Sequence, residues 1–121
     1  MVLVDTSVWV SHLQEGNKEL ETLLNNGDVM CHPFIVGELA CGTIKNRAEI
    51  LSLLQLLPMA IHVENEEVFH FIETNSLMGK GLGHVDMHLS ASAVLSGVPI
   101  WTLDKSFAKM NAMLNISYSR S

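Results

Sequence analysis

Two aspartates stand where a short apolar segment gives way to a predicted helix. Asp5 follows the apolar segment 2–4, and Asp104 follows the apolar segment 100–103. Short apolar runs with β-branched residues are typical of strands that are buried on both faces of a parallel sheet. Parallel strands have their carboxyl ends at one edge, where open α/β sheets bind ligands. We therefore expect the two carboxylates to lie close together, at a place suited to a ligand.

Two further carboxylates belong to predicted helices that can reach the same edge. Glu38 is the only charge in an apolar helix predicted over 34–42, and an unpartnered buried glutamate is costly, so a site role is favoured over a solvent-facing position. Asp86 lies in the first turn of a helix predicted over 85–97, where the helix dipole alone would favour an acid. Four converging carboxylates would repel one another unless cations lay between them, and all-oxygen ligation suits Mg²⁺ or Mn²⁺.

Other interpretations of the same residues remain open. Asp5 is in a position to be only a helix cap, beside the capping hydroxyls of Thr6 and Ser7. His84 and His88 have a metal-ligand spacing, but Asp86 lies about half a turn from both, so the three do not form one site on an ideal helix. His88 can still act near the acids by hydrogen bonding.

Two alternative functions also follow from these patterns. The first is a phosphatase that acts through an aspartyl-phosphate at Asp5, although Ser7 stands where such enzymes usually have a second aspartate. The second is a non-catalytic module in which the acids form a protein-docking surface, and the leucine-rich stretch 50–57 is its best feature.

The composition of the chain narrows the class of protein. With 121 residues, 48% of them hydrophobic, the chain is long enough for one globular domain, predicted over 1–121. A net charge of −6 argues against a general polyanion binder. No apolar run approaches the roughly 18–20 residues of a membrane span, and no leader pattern is present, so a cytoplasmic protein is expected. Cys31 and Cys41 are interpreted as reduced core residues.

The order of apolar segments indicates an α/β fold. Strands are predicted at 2–4, 29–31, 59–63, 100–103 and 116–118, and helices at 8–13, 18–24, 34–42, 50–57, 66–77, 85–97 and 105–114. Strands that alternate with helices imply a parallel sheet with right-handed crossovers.

Four motifs in this order resemble those of a PIN domain. They are Asp5-Thr6-Ser7, Glu38 in a Gly-Glu-Leu helix, Asp86 in Val-Asp-x-His-Leu, and Thr102-x-Asp104. The chain is more closely similar to the VapC toxins of bacterial type II toxin–antitoxin systems, and this resemblance runs over almost its whole length.

The resemblance implies a three-layer α/β/α fold with a central parallel sheet of strand order 3-2-1-4-5. It implies a Mg²⁺- or Mn²⁺-dependent endoribonuclease that forms a homodimer and is inhibited by a VapB-like antitoxin. Asp5, Glu38, Asp86 and Asp104 take the metal and catalytic positions, and the hydroxyls of Thr6, Ser7 and Thr102 orient water or those carboxylates. Lys80, in the glycine-rich loop 79–83, and Lys105 are the candidates for contacts with RNA phosphates.

Overall fold

Three short parallel strands form the centre of the fold in the computed structural model, which describes residues 1–119. Strand β1 (Val2–Val4) lies between β2 (Val29–Met30) and β3 (Ile100–Trp101). Leu3 pairs with Met30 on one side and with Ile100 on the other. Every residue of β1 is buried, as expected of a central strand covered on both faces.

Two single-residue bridges extend the sheet by one position on each side. Cys31 pairs in parallel with Met59, and Ile100 pairs in parallel with Ser117. The order of the five paired segments is therefore the predicted 3-2-1-4-5, which confirms the predicted fold class. The strands predicted at 59–63 and 116–118 are wrong in length, because only one residue of each segment pairs with the sheet. Beyond Met59 the chain leaves the sheet edge, and Ile61 is exposed.

Seven helices flank the sheet in the described part of the chain. They are α1 (Thr6–Glu15), α2 (Lys18–Asn25), α3 (Pro33–Ala40), α4 (Arg47–Leu54), α5 (Asn65–Thr74), α6 (His84–Ser96) and α7 (Lys105–Met113). Helix α3 packs against α1 and α4, α5 packs against α6, and α7 packs against β3. This is the arrangement of a three-layer α/β/α fold. None of these helices has the length and apolar character needed to cross a membrane.

Local sequence signals explain several of the helix ends. Pro33 is the first residue of α3, and Nδ1 of His32 accepts a hydrogen bond from the backbone N–H of Phe34 at 3.0 Å. The side chain of Asn17 accepts from the backbone N–H of Leu20 and caps α2. Helix α6 ends at Gly97, whose φ of 69° is a left-handed conformation that glycine adopts without a steric penalty.

The buried apolar side chains form one core cluster around β1 and α6. Cys31 belongs to this core, and burial raises the pKa of its thiol to about 11. Cys41 is exposed, so the prediction that both cysteines are core residues is wrong for Cys41. Both thiols are free, as predicted. The predicted domain, 1–121, includes two terminal residues that lie outside the described ones.

Candidate active site

A threonine hydroxyl links the ends of the two neighbouring strands β1 and β3. Oγ1 of Thr102 donates to Oδ2 of Asp5 at 2.7 Å and accepts from the backbone N–H of Asp104 at 3.1 Å. Asp5 and Asp104 thus lie at the same carboxyl edge of the sheet, where ligands of open α/β folds bind. The structure brings these two predicted residues together.

The hydroxyl of Ser7 supports the same carboxylate from the first turn of α1. Oγ of Ser7 donates to Oδ2 of Asp5 at 3.0 Å and accepts from the backbone N–H of Leu103 at 2.9 Å. It also lies 3.2 Å from Oγ1 of Thr102. Because each hydroxyl has only one proton and gives it to Oδ2, the contact between the two hydroxyls carries no hydrogen bond in this arrangement. Two donors on one oxygen fix the orientation of the Asp5 carboxylate.

The side chain of Asp5 does not cap α1. Asp5 occupies the N-cap position of α1, but its side chain makes no cap hydrogen bond. Helix α1 begins at Thr6, so the expectation that Thr6 or Ser7 caps it is wrong. Only 8% of Asp5 is exposed, and within the described residues its side-chain hydrogen bonds both reach Oδ2. Oδ1 is therefore left for solvent or a cation.

Glu38 reaches this edge from α3 through a second hydroxyl. Oγ1 of Thr6 donates to Oε1 of Glu38 at 2.7 Å, which joins α1 to α3 beside Asp5. Glu38 is exposed, so the burial argument from the sequence is wrong, because its apolar neighbours on α3 face the core while Glu38 itself does not. The placement of Glu38 beside Asp5 rests instead on its hydrogen bond with Thr6.

The charges of the three other acids affect the pKa of Asp86. Burial raises the pKa of its carboxyl group, a hydrogen bond with the backbone of Gly83 lowers it, and the negative charges of Asp5, Asp104 and Glu38 raise it again. Gly83 is the N-cap of α6, so Asp86 also has a structural role in starting this helix. The net shift of the Asp86 pKa is upward, with burial as the largest cause and the charges of the other three acids as smaller ones.

Asp104 caps a helix. It is the N-cap of α7, and its Oδ1 accepts from the backbone N–H of Phe107 at 3.0 Å.

In the described residues no lysine or arginine forms an ion pair with any of the four acids, and no three His, Cys, Asp or Glu side chains are arranged around a metal position. The group has the oxygen donors that Mg²⁺ or Mn²⁺ prefers, without a neutralising cation from the protein.

A cleft of about 410 Å³ opens beside Glu38 and Thr6. Apolar side chains of α1 and α3 and the segment 42–45 line it, and Lys45 contributes a positive charge. Another surface cavity, of about 450 Å³, lies between α5 and α6, and none of the four acids lines it.

The two predicted lysines differ in their surroundings. Lys80 lies between Gly79 and Gly81, which have φ values of 76° and 75°, and it lines a cavity of about 270 Å³ together with Ser106 and Lys109. Lys105 is the exposed first residue of α7 and does not line this cavity. Sequence reasoning missed Lys109, although its spacing of four residues from Lys105 already placed both on one side of a helix. Lys45 was missed because its segment has no recognisable pattern.

The histidines of α6 do not join the acids. Nε2 of His88 lies 2.9 Å from Oδ1 of Asn65 and 3.0 Å from Nε2 of His84. His88 is buried and packs against the ring of Phe34. None of its recorded hydrogen bonds reaches Asp5, Glu38, Asp86 or Asp104, so the suggestion that His88 acts near the acids by hydrogen bonding is not supported.

The sequence profile of the PIN domain matches residues 2–113, a span that contains all four acids and the three hydroxyls. The chain belongs to the PIN domain family. It is also 42% identical over 106 residues to Ribonuclease VapC32 of Mycobacterium tuberculosis, in strains CDC 1551 and H37Rv. The matched region covers 87% of this chain and 86% of each relative. These findings confirm the resemblance to VapC-type PIN domains, and they favour a ribonuclease over the phosphatase and the docking module.

Proposed function

We propose that this PIN domain is the toxin of a type II toxin–antitoxin system, an endoribonuclease that hydrolyses RNA phosphodiesters with Mg²⁺ or Mn²⁺. Asp5, Glu38, Asp86 and Asp104 would supply oxygen ligands to the cation. The observation that carries the proposal is the set of hydroxyl contacts at this edge, with Ser7 and Thr102 on Asp5 and Thr6 on Glu38. The charges of Asp5, Asp104 and Glu38 also act on the pKa of Asp86, after burial. The similarity to a ribonuclease supports the type of reaction.

The donor set fits a hard divalent cation. Four carboxylates provide only oxygen ligands, and no basic side chain among the described residues neutralises them. A bound cation would polarise the phosphate and lower the pKa of a water molecule, which supplies the nucleophile at neutral pH.

The protein groups have separate tasks in this proposal. Oδ1 of Asp5 would be the oxygen that binds the cation, since Oδ2 is held by Ser7 and Thr102. Thr6 orients Glu38, whose second carboxylate oxygen either ligates the cation or accepts a proton from the attacking water. Asp86 and Asp104 complete the anionic edge. The hydroxyls act by positioning carboxylates, not by attacking the substrate.

The test is cleavage of total RNA by purified protein. Fragments are expected with Mg²⁺ or Mn²⁺ and not with a chelator present, and adding the cation back should restore cleavage. Cleavage of equal extent in the chelator would contradict the metal-dependent mechanism. A nuclease contaminant is controlled by purifying an inactive variant in parallel.

Removing the hydroxyl that joins the two strand ends should weaken catalysis without unfolding the protein. Thr102→Val keeps the side-chain shape but removes the donor to Asp5 and the acceptor for Asp104. Hydrogen bonds to charged groups contribute about 1.5–3 kcal/mol, so kcat/KM for RNA cleavage should fall roughly 10- to 100-fold.

Thr22→Val is the matched control, because the hydroxyl of Thr22 bonds only to the backbone of Lys18 on an exposed face. Steady-state cleavage of a fluorescent RNA measures both variants. An equal rate for Thr102→Val and wild type would show that this hydroxyl does not position Asp5.

RNA phosphates are proposed to contact the lysines beside α7. Lys80 and Lys109 line one cavity, and Lys105 follows Asp104 directly. Lys109→Gln should raise KM several-fold, leave kcat nearly unchanged and reduce the slope of log KM against log salt by about one, because each phosphate contact releases counterions. Lys18→Gln, on exposed α2, is the control. A fall in kcat with unchanged KM would contradict a phosphate contact.

The proposed partners are a VapB-like antitoxin and a second copy of the chain, in the cytoplasm. An apolar groove of about 270 Å³, lined by Trp9 and several leucines, is the proposed binding surface for the antitoxin. Such a groove can accept the apolar face of a helix. Exposed Phe69, Val94 and Leu95 near the α5–α6 cavity support self-association, since apolar patches often mark interfaces. Light scattering tests the oligomeric state.

A further inference from the structure

A group of side chains of the types that can ligate metals lies on α6 and at the start of α5. The Nε2 atoms of His84 and His88 are 3.0 Å apart, and Oδ1 of Asn65 is 2.9 Å from Nε2 of His88. These side chains have no recorded hydrogen bond with the four acids. We propose that they form a separate site, which binds a divalent nickel or copper ion through the two imidazole nitrogens.

The relative orientation of the two rings supports this proposal. A head-on hydrogen bond between two Nε2 atoms at this distance would place the ring centroids about 5.3 Å apart. The centroids are instead 4.4 Å apart, and the ring planes make an angle of 87°. Two imidazoles that bind one metal at about 2.1 Å and at a right angle have nitrogens about 3.0 Å apart and centroids about 4.5 Å apart. The observed spacing is therefore closer to that of two imidazoles on one metal than to that of a linear hydrogen bond.

The distance between the nitrogens can be compared with the geometries of different metals. A tetrahedral zinc ion would separate its two nitrogen ligands by about 3.4 Å. The observed 3.0 Å fits the right angles of octahedral or square-planar coordination, which Ni²⁺ and Cu²⁺ adopt with imidazole and oxygen ligands. Mg²⁺ and Mn²⁺ prefer oxygen, so the histidine pair and the acidic edge would take different ions.

The surroundings set the strength of the site. His84 is exposed and His88 is 1% exposed, so one side of the ion is open to water, and the amide oxygen of Asn65 offers a third ligand. Nδ1 of His88 is buried without a hydrogen-bond partner in the described residues. Ligating histidines usually donate this N–H to an acceptor, and the lack of one lowers metal affinity about 10- to 100-fold. We therefore expect Ni²⁺ or Cu²⁺ to bind with moderate affinity, because two imidazoles and one amide leave the remaining coordination positions open to water.

Calorimetric titration of the full chain with Ni²⁺, after removal of any affinity tag, tests the site. One equivalent should bind to the wild type, to His70→Gln and to Asp5→Asn. His84→Gln should weaken binding by at least about tenfold, because one of two imidazoles is lost. His84 is exposed, so this variant should keep the fold, which circular dichroism checks. His70 provides the matched control, since it is another exposed histidine on the neighbouring helix.

Electron paramagnetic resonance of bound Cu²⁺ is the second measurement, and it should show two nitrogen ligands in the wild type and one in His84→Gln. Unchanged Ni²⁺ binding by His84→Gln would overturn the proposal. So would loss of Ni²⁺ binding in Asp5→Asn, because the ion would then lie at the acidic edge. Absence of stoichiometric binding to the wild type would overturn it as well, without bearing on the proposed ribonuclease activity.

Discussion

Asp5→Asn is expected to lower kcat/KM for RNA cleavage at least about a thousandfold, or roughly 4 kcal/mol of transition-state stabilisation. Asp5 is the acid that ends the central strand, and its Oδ1 is left for the cation, while Oδ2 is held by two hydroxyls. Asparagine is close in shape and still accepts both hydrogen bonds. It lacks the negative charge that would hold a divalent ion, so the loss should be in catalysis and not in folding.

Asp28→Asn is the matched control for this change. Asp28 precedes β2, and its backbone carbonyl accepts from Val2, but it is not among the acids that raise the pKa of Asp86. This variant should cleave RNA like the wild type. Single-turnover cleavage measures both variants and separates chemistry from product release. Wild-type cleavage by Asp5→Asn would contradict the metal-binding role of Asp5.

Acid should destabilise the protein through His32. This residue has no exposed surface, and burial first, then the neighbouring His88 and His62, lowers its pKa to about 4. The unfolded chain takes up a proton near pH 6.5, but the folded chain does so only near pH 4. Stability is therefore lost as pH falls through this window, by up to about 3 kcal/mol below it.

His32→Asn isolates this effect. Asparagine can still cap α3 by accepting from Phe34, although it loses the 3.2 Å contact between Nε2 of His32 and Oγ of Ser92. The variant should be less stable at pH 7, and its free energy of unfolding should fall less steeply between pH 6.5 and 4.5. Urea denaturation at several pH values provides the curves.

His70→Gln, which removes an exposed imidazole, is the control and should follow the wild-type curve. A slope for His32→Asn that equals the wild-type slope would show that His32 is not responsible for the acid sensitivity. Comparing slopes is necessary because the absolute stability of His32→Asn also reflects the lost contact with Ser92.

The sequence predicted the centre of the fold well because the strongest local patterns lie there. The run 2–4 is apolar throughout and ends in Asp5, so a strand buried on both faces was the only simple interpretation. The order of the five paired segments followed from the family resemblance. The lengths of the two outer segments could not be predicted in this way. Only one residue of each pairs with the sheet, and this depends on where the chain leaves the sheet at Met59 and Ser117.

The contacts of the candidate site depend on residues that are distant in sequence. Thr102 and Ser7 were selected as supporting hydroxyls, but their shared target on Asp5 emerges only when β3 lies beside β1. The exposure of Glu38 was misjudged, because composition cannot tell which side of an apolar helix faces water. The pairing of His32 with Ser92 joins α3 to α6, and no sequence pattern predicts such a contact.

The central claim is that four carboxylates share a single cation site, and the melting temperature with and without Mn²⁺ tests it most directly. Burial and then neighbouring charges raise the pKa of Asp86 in the folded state, so its ionisation costs stability at neutral pH, and Asp86→Asn should remove that cost. In metal-free buffer Asp86→Asn should melt above the wild type and above Asp28→Asn. Mn²⁺ should raise the melting temperature of the latter two by mass action, and that of Asp86→Asn much less. A lower metal-free melting temperature for Asp86→Asn, together with an undiminished rise in Mn²⁺, would contradict the account.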